Sequence, residues 1–130
     1  MKLIDSPKDC IRTNSGIYIN IFNPKPEMFC IEDIAHALAE QPRFAGHLNR
    51  HYSVAQHSVL CARMVKRKNR LPALMHDASE AYMLDMPTPI KAKMPEYKEI
   101  EHELMQAIAD KFDFPYPYSK QVKKLSLIHI

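Results

Sequence analysis

The sequence predicts an all-α domain fronted by a small β-hairpin, and three observations lead there. From residue 31 onward, apolar residues recur at three- and four-residue spacing, as amphipathic helices require. Before that, Ile17, Ile19 and Ile21 alternate with Tyr18 and Asn20, the period of a half-buried strand. The chain has 130 residues, enough for one core and too few for two.

The elements follow in order. Thr13-Asn14-Ser15-Gly16 carries turn chemistry, and Gly16 tolerates positive φ. Asn23-Pro24-Lys25-Pro26 ends the strand, because Pro cannot continue a ladder. This hairpin occupies an N-terminal segment, residues 1–28. Ile31, Ile34, Ala35 and Leu38 form the stripe of a first helix that stops before Pro42. Ser53 is placed to cap a second, whose inward face is Val54, His57, Ser58, Cys61 and Val65. A third helix is expected from about Pro72 to Leu84, ended by Pro87 and Pro89, with Leu74 among its packing residues. A fourth starts near Pro95 along Tyr97, Ile100, Leu104, Ile108 and Phe112, and a fifth follows Ser119.

Composition excludes several classes. Two Gly against ten Pro, with no GxGxxG or GxxxxGK[ST] pattern, leaves no Gly-rich phosphate loop. The net charge of +3 is mild. Its one dense run, Lys66-Arg67-Lys68 with Arg70, reads as a solvated helix end before it reads as a nucleic-acid patch. Cys10, Cys30 and Cys61 are odd in number and lack CxxC spacing, which argues against a disulfide framework or a zinc knuckle. Met1-Lys2-Leu3-Ile4 runs at once into Asp5, unlike a signal peptide, and no apolar run reaches membrane-spanning length. A cytoplasmic setting is the expectation.

Seven histidines call for a spatial explanation. On an ideal helix, His76 and Glu80 share a face with Asp77 beside them. Three such groups on a packed helix are costly without partners, and a divalent transition metal would supply one. His57, on the inward face of the preceding helix, is the best third ligand. Taken singly, each has a plainer reading: a hydrogen-bonded core His, a chance His-Asp pair, a solvated Glu. Arg43, on the loop ahead of that helix, suits bidentate capture of a phosphate and equally suits plain exposure. His36 reads as structural, His102 as surface, and His47 and His51 as either site-mouth or exposed residues.

Tyr52-Ser53-Val54-Ala55-Gln56-His57-Ser58, His76-Asp77-Ala78-Ser79-Glu80-Ala81 and Asp85-Met86-Pro87-Thr88-Pro89-Ile90-Lys91 together resemble the HD-domain metal-dependent phosphohydrolases, in particular the 5′-deoxynucleotidase-like branch of phage and bacterial type. Ile11-Arg12-Thr13, Ser15-Gly16 and Ile31 to Leu38 extend the likeness, which runs from about residue 11 to 124. The resemblance implies an HD-domain helical bundle over residues 29–124 with one divalent ion, of the Co, Mn, Fe, Ni or Zn class. It implies His57, His76 and Asp77 as metal ligands, Glu80 and Asp85 as catalytic carboxylates, and Arg43 as the phosphate-binding residue. The implied reaction removes the 5′-phosphate from (deoxy)nucleoside monophosphates, with no membrane or nucleic-acid partner and a homodimer as an open expectation. The rivals are hydrolysis of a nucleoside triphosphate, cyclic nucleotide or alarmone, or a helical binding module without catalysis.

One departure matters. The family's fourth ligand is an Asp in a context like Val-Lys-x-x-Asp, and here Val122-Lys123-Lys124 leads to Ser126. The 130-residue chain is therefore expected to bind metal weakly and turn over little. Residues 125–130 are also what the DNA string CTGTCTCTTATACACATC encodes, a transposon end used in sequencing libraries. A non-native tail is expected there, against the plainer reading of an apolar terminal turn.

Overall fold

The computed structural model describes residues 7–127. The readings placed on residues 1–5 and on the end of the tail, 128–130, lie outside them. The described chain is mostly helical with one two-stranded antiparallel sheet.

Strands β1 (Cys10–Arg12) and β2 (Tyr18–Asn20) pair with Ile11 opposite Ile19. Gly16 takes the positive φ of the turn between them. Ile19 is fully buried, and Ile17 and Ile21 pack partly buried beside it. The hairpin is fixed to helix α1 (Ile31–Glu40) by Asp33, whose carboxylate accepts from the Ser15 amide at 2.8 Å and the Ser15 hydroxyl at 2.6 Å.

The apolar stripe of α1 is narrower than its spacing predicts. Ile34 and Leu38 are buried, whereas Ile31 and Ala35 are exposed and Asp33 takes inward space. His36 is exposed too, not structural. It stands two residues from both Ile34 and Leu38, and successive residues turn by about 100°, so it faces away from that stripe.

Helix α2 (Val54–Arg63) begins at Ser53 with a full capping box. The Ser53 hydroxyl accepts from the Gln56 amide, and the Gln56 side chain accepts from the Ser53 amide. Val54, His57, Ser58, Cys61 and Val65 are all buried, as the spacing predicts.

The single third helix is replaced by two short ones. Helix α3 (Arg70–Met75) and helix α4 (Glu80–Met83) flank a turn at residues 76–79. The cause is local. The His76 ring takes the Ala73 carbonyl through Nδ1 at 2.6 Å, an acceptor that a continuing α-helix would have used. Backbone bonds then tighten to three-residue steps, from the Ala78 amide to Met75 and from Glu80 to Asp77. Leu74 ends up 37% exposed and does not serve the packing expected of it. Leu84 closes α4 at φ +73°. The prolines that were expected only to stop a helix also start one: Pro87 precedes α5 (Thr88–Lys91), and Pro89 sits in its first turn, where no amide is needed.

Helix α6 (Pro95–Phe112) carries the longest buried face, including Leu104, Met105 and Ile108. The fifth predicted helix is one turn, α7 (Lys120–Lys123), capped by Ser119 and followed by a 3-10 turn. Leu125, at the head of the suspect tail, is buried with Val122, Cys61, Val65 and Ala73.

Two apolar clusters result, and their seam positions the site. Val54, Met75 and Ala78 belong to the larger cluster, and Cys61 and Ala73 to the smaller. His57 lies between Val54 and Cys61, and His76 and Asp77 lie between Met75 and Ala78. His57 therefore stands where α2 passes from the larger cluster to the smaller, and His76 and Asp77 meet it from a turn flanked by the larger one.

Candidate metal centre

The site begins with backbone geometry. Helix α2 points His57 inward, fully buried. The tight turn at 76–79 points His76 and Asp77 at it. Asp77 Oδ2 lies 3.1 Å from His76 Nε2 and 3.6 Å from His57 Nε2, and the two imidazole centroids are 5.3 Å apart. Side-chain exposure is 0% for His57, 6% for His76 and 18% for Asp77, so a solvent-facing edge remains at the carboxylate.

Protonation follows from this packing. Burial, reinforced by the Arg43 charge, lowers the His57 pKa to about 4 and leaves its ring neutral. Burial opposes charge on His76, but Asp77 and the Ala73 carbonyl outweigh it and raise its pKa. Burial likewise opposes charge on Asp77, and the two imidazoles and Arg43 overcome it and hold the group ionised. A carbonyl can only accept, so the Ala73 bond fixes the proton of a neutral His76 on Nδ1 and directs the Nε2 lone pair into the site.

These donors fit a divalent cation. No hydrogen bond of acceptable geometry reaches His76 Nε2, although it is buried. Among the described residues, seven buried side-chain N or O atoms lack a partner, and His76 Nε2, Arg43 Nε and Glu80 Oε2 are three of them. Buried polar atoms are ordinarily paired, and Arg43 and Glu80 both couple electrostatically to Asp77, beside His76, so these three unpaired atoms indicate room for a polar ligand. Cys61 adds a donor that the sequence reading left among the packing residues. Single ligand atoms of His57, Cys61 and His76 all lie within 4.8 Å of one another. The available signal was spacing, since Cys61 follows His57 by one helical turn. Its thiol is pushed up to about 11 by burial and by the Asp77 charge.

Around these groups stand the other predicted site residues. Arg43 sits at the start of a turn, Arg43–Gly46, in which Phe44 and Ala45 adopt positive φ. The base of its loop is pinned by a bridge between Pro42 and Ser53 and by the Arg43 amide donating to Tyr52 at 2.8 Å. That bridge ties the loop to the α2 cap, so Arg43 is half-buried and not a free surface residue. Its charge is felt at His57, His76, Asp77 and Asp85. Arg43 and Asp85 line one cleft of about 500 Å³ together with His47, Pro87 and Thr88. His47 lines this cleft and is exposed, and His51 is exposed beside the Ala39 carbonyl. Helix α4 buries Glu80 to 8% exposure. Burial and the charges of Asp77 and Asp85 push its carboxyl up to about 10, so it is protonated at neutral pH. Asp85 is itself raised by burial, with Arg43 pulling it back.

A second cleft of about 410 Å³ reaches His76 and Asp77 past Lys91, Glu101 and Tyr116. Lys91 pairs with Glu101 at 2.7 Å, a contact that sequence reasoning did not foresee. His102, expected at the surface, is exposed and bonds the Tyr116 hydroxyl at 2.9 Å. Among the described residues no helix is long and apolar enough to cross a membrane.

No family model matches the chain. It is similar to the uncharacterized protein YfdR of Escherichia coli, at 42% identity over 118 residues that cover 91% of this chain and 66% of YfdR. It is also similar to an uncharacterized protein of Rhodobacter capsulatus, at 37% identity over 123 residues covering 87% of this chain and 63% of that protein. The chain spans just under two thirds of the length of the curated relatives it matches.

Proposed function

We propose that the chain carries the centre of a metal-dependent phosphohydrolase of the HD type, acting on nucleoside 5′-monophosphates. The observation that carries the reading is the cluster of orphaned atoms on Arg43, His76 and Glu80 around a buried His57–His76–Asp77 group. His57, His76 and Asp77 would hold the cation, which supplies Lewis acidity and makes hydroxide available near neutral pH.

The residues around it divide the remaining work. Arg43 binds the non-bridging phosphoryl oxygens and offsets the charge that grows on them in the transition state. Displacement at phosphorus would add hydroxide and release the 5′-oxygen, which then needs a proton. Glu80, protonated at neutral pH, hands its proton to that departing oxygen. Asp85 shares the Arg43 cleft and orients the guanidinium and the substrate within it. A monophosphate suits this site because a single cationic side chain, Arg43, lines the cleft.

Phosphate release from dAMP and dTMP, with cobalt or manganese added, tests the reading. With Ser126 in place of the family's fourth carboxylate, slow metal-dependent release is expected, abolished by His76→Ala. Ser126→Asp is expected to raise the rate. Activity absent from both the unsubstituted chain and Ser126→Asp would remove the nucleotidase reading.

A further inference from the structure

We propose that Cys61 binds the same cation as His57 and His76, which makes the centre a thiolate-bearing one suited to zinc and cobalt. The inference rests on the preceding reading only in requiring that a divalent ion enters this site.

Helix geometry supplies the first argument. Cys61 lies four residues after His57 on α2, so both side chains leave the same inward face. Its Sγ stands 3.5 Å from His57 Nε2 and 3.8 Å from Nδ1. Two donors held at ordinary zinc–nitrogen and zinc–sulfur lengths of a tetrahedral ion lie roughly 3.3–3.8 Å apart. The thiol is therefore already near ligating separation from one imidazole, and its atom, with one from each of His57 and His76, falls within 4.8 Å of the others. The second argument is His76 Nε2, on a side chain 6% exposed, which makes no hydrogen bond of acceptable geometry and has the Asp77 carboxylate 3.1 Å away. A buried nitrogen held by that ionic contact, on a ring with a buried sulfur and a second imidazole close by, has a lone pair left for a shared cation.

Donor chemistry then decides the ion. Two imidazoles, one carboxylate and one thiol form a borderline-soft set that favours zinc and cobalt over manganese or magnesium. On binding, the S–H bond of Cys61 breaks, the sulfur keeps the electron pair and forms the bond to the ion, and the proton passes to water. No oxidant or reductant is involved.

Cobalt(II) titration of the whole chain, followed by electronic absorption, reads the ligand directly. The visible d–d bands report entry of the ion, and a near-ultraviolet sulfur-to-cobalt charge-transfer band reports the thiolate. Because Cys10 and Cys30 are also free thiols, the decisive protein is the Cys10→Ser, Cys30→Ser double variant, in which Cys61 is the remaining sulfhydryl. The expected result is both sets of bands in that variant, with the charge-transfer band lost and the d–d bands kept on adding Cys61→Ser. X-ray absorption at the zinc edge of the same double variant is expected to show a sulfur neighbour at about 2.3 Å. Visible bands without the charge-transfer band, and a zinc shell of nitrogen and oxygen alone, would overturn the role of Cys61 and leave the metal centre standing. Absence of every cobalt band would overturn both. The double variant keeps Cys61, so the reading does not depend on whether Cys61→Ser folds.

Discussion

Glu80 shows how one side chain's surroundings set its chemistry. Helix α4 buries it within the field of three other carboxylates, and its protonated form is the favoured one up to about pH 10 in the metal-free chain. A cation beside Asp77 stabilises the ionised form and brings that value down. A proton donor works below its own pKa, so activity should hold through neutral pH and fall on the alkaline side, at a pH below 10. Glu80→Gln should lower kcat by about 10²–10⁴-fold, erase the alkaline limb and leave cobalt binding intact. Unchanged kcat in that variant would assign the proton to another group. Asp33 is the opposite case. Burial would raise its pKa, but hydrogen bonds from Ser15, Thr13 and Cys30 outweigh this and lower it from 3.8 to about 2. The folded value is the lower one, so its stabilisation is present above the unfolded pKa and disappears as pH falls through about 2. The amount is on the order of 1–2 kcal/mol. Asp33→Ala should lower Tm at pH 7 by several degrees, with the gap to the natural chain narrowing toward pH 2; a gap independent of pH would show that the carboxylate charge is not what holds the hairpin.

At the scale of elements, the chain leaving α4 makes the sharpest local turn near the site. Leu84 adopts φ +73° and ψ 157° while its side chain stays 66% exposed. A branched residue in that region costs on the order of 1–3 kcal/mol, and its exposed side chain recovers little of it by packing. The turn is what brings Asp85 back to the Arg43 cleft. Leu84→Gly should remove the strain at a smaller cost in chain entropy, about 0.5–1 kcal/mol, and raise Tm by a few degrees with activity unchanged. A lower Tm would mean that the leucine side chain contributes more than its exposure suggests. The same stretch explains what sequence can and cannot convey. Side-chain period placed the inward face of α2 correctly from its cap through Cys61, and the burial of Val65 just past its end, because a Ser53–Gln56 capping box and the inward residues agree with one another. It failed at 76–79, because the break depends on a ring nitrogen reaching a carbonyl three residues back, a contact with no periodic trace. The meeting of His57, His76 and Asp77 was legible even so, since the inward face of α2 carries His57 and the adjacent His76–Asp77 pair stays together through the turn. Cys61 was assigned to packing because its burial is what an apolar stripe predicts, and only the approach of α3 to α2 sets it beside a second imidazole. The exposure of His36 was recoverable from its two-residue offset to Ile34 and Leu38. The Asp33 latch was not, since it joins residues 18 apart through a side chain that helix patterning treats as polar surface.

For the whole molecule, the centre is a cross-link between parts that the chain itself connects only through the segment from 64 to 75. His57 is held by α2, which runs from the larger apolar cluster to the smaller, and His76 and Asp77 by the turn after α3. A cation bound at this seam must therefore stabilise the fold as a whole, by RT ln(1 + [L]/Kd) for a ligand that prefers the folded state. At a hundredfold excess over Kd this is about 2.7 kcal/mol, which for a domain of this size corresponds to a rise in Tm on the order of 10 °C. Zinc or cobalt should produce that rise and EDTA should reverse it. In His57→Ala or His76→Ala the metal-free Tm falls, because each ring fills buried space, but the informative quantity is the metal-induced increment, which should shrink to near zero in both. His36→Ala removes an exposed imidazole remote from the seam and should keep the full increment. Equal increments in His57→Ala and the natural chain would place the ion elsewhere, with the exposed imidazoles of His47 and His51 as the nearest alternatives in sequence, and the seam would then be a purely structural meeting of two cores.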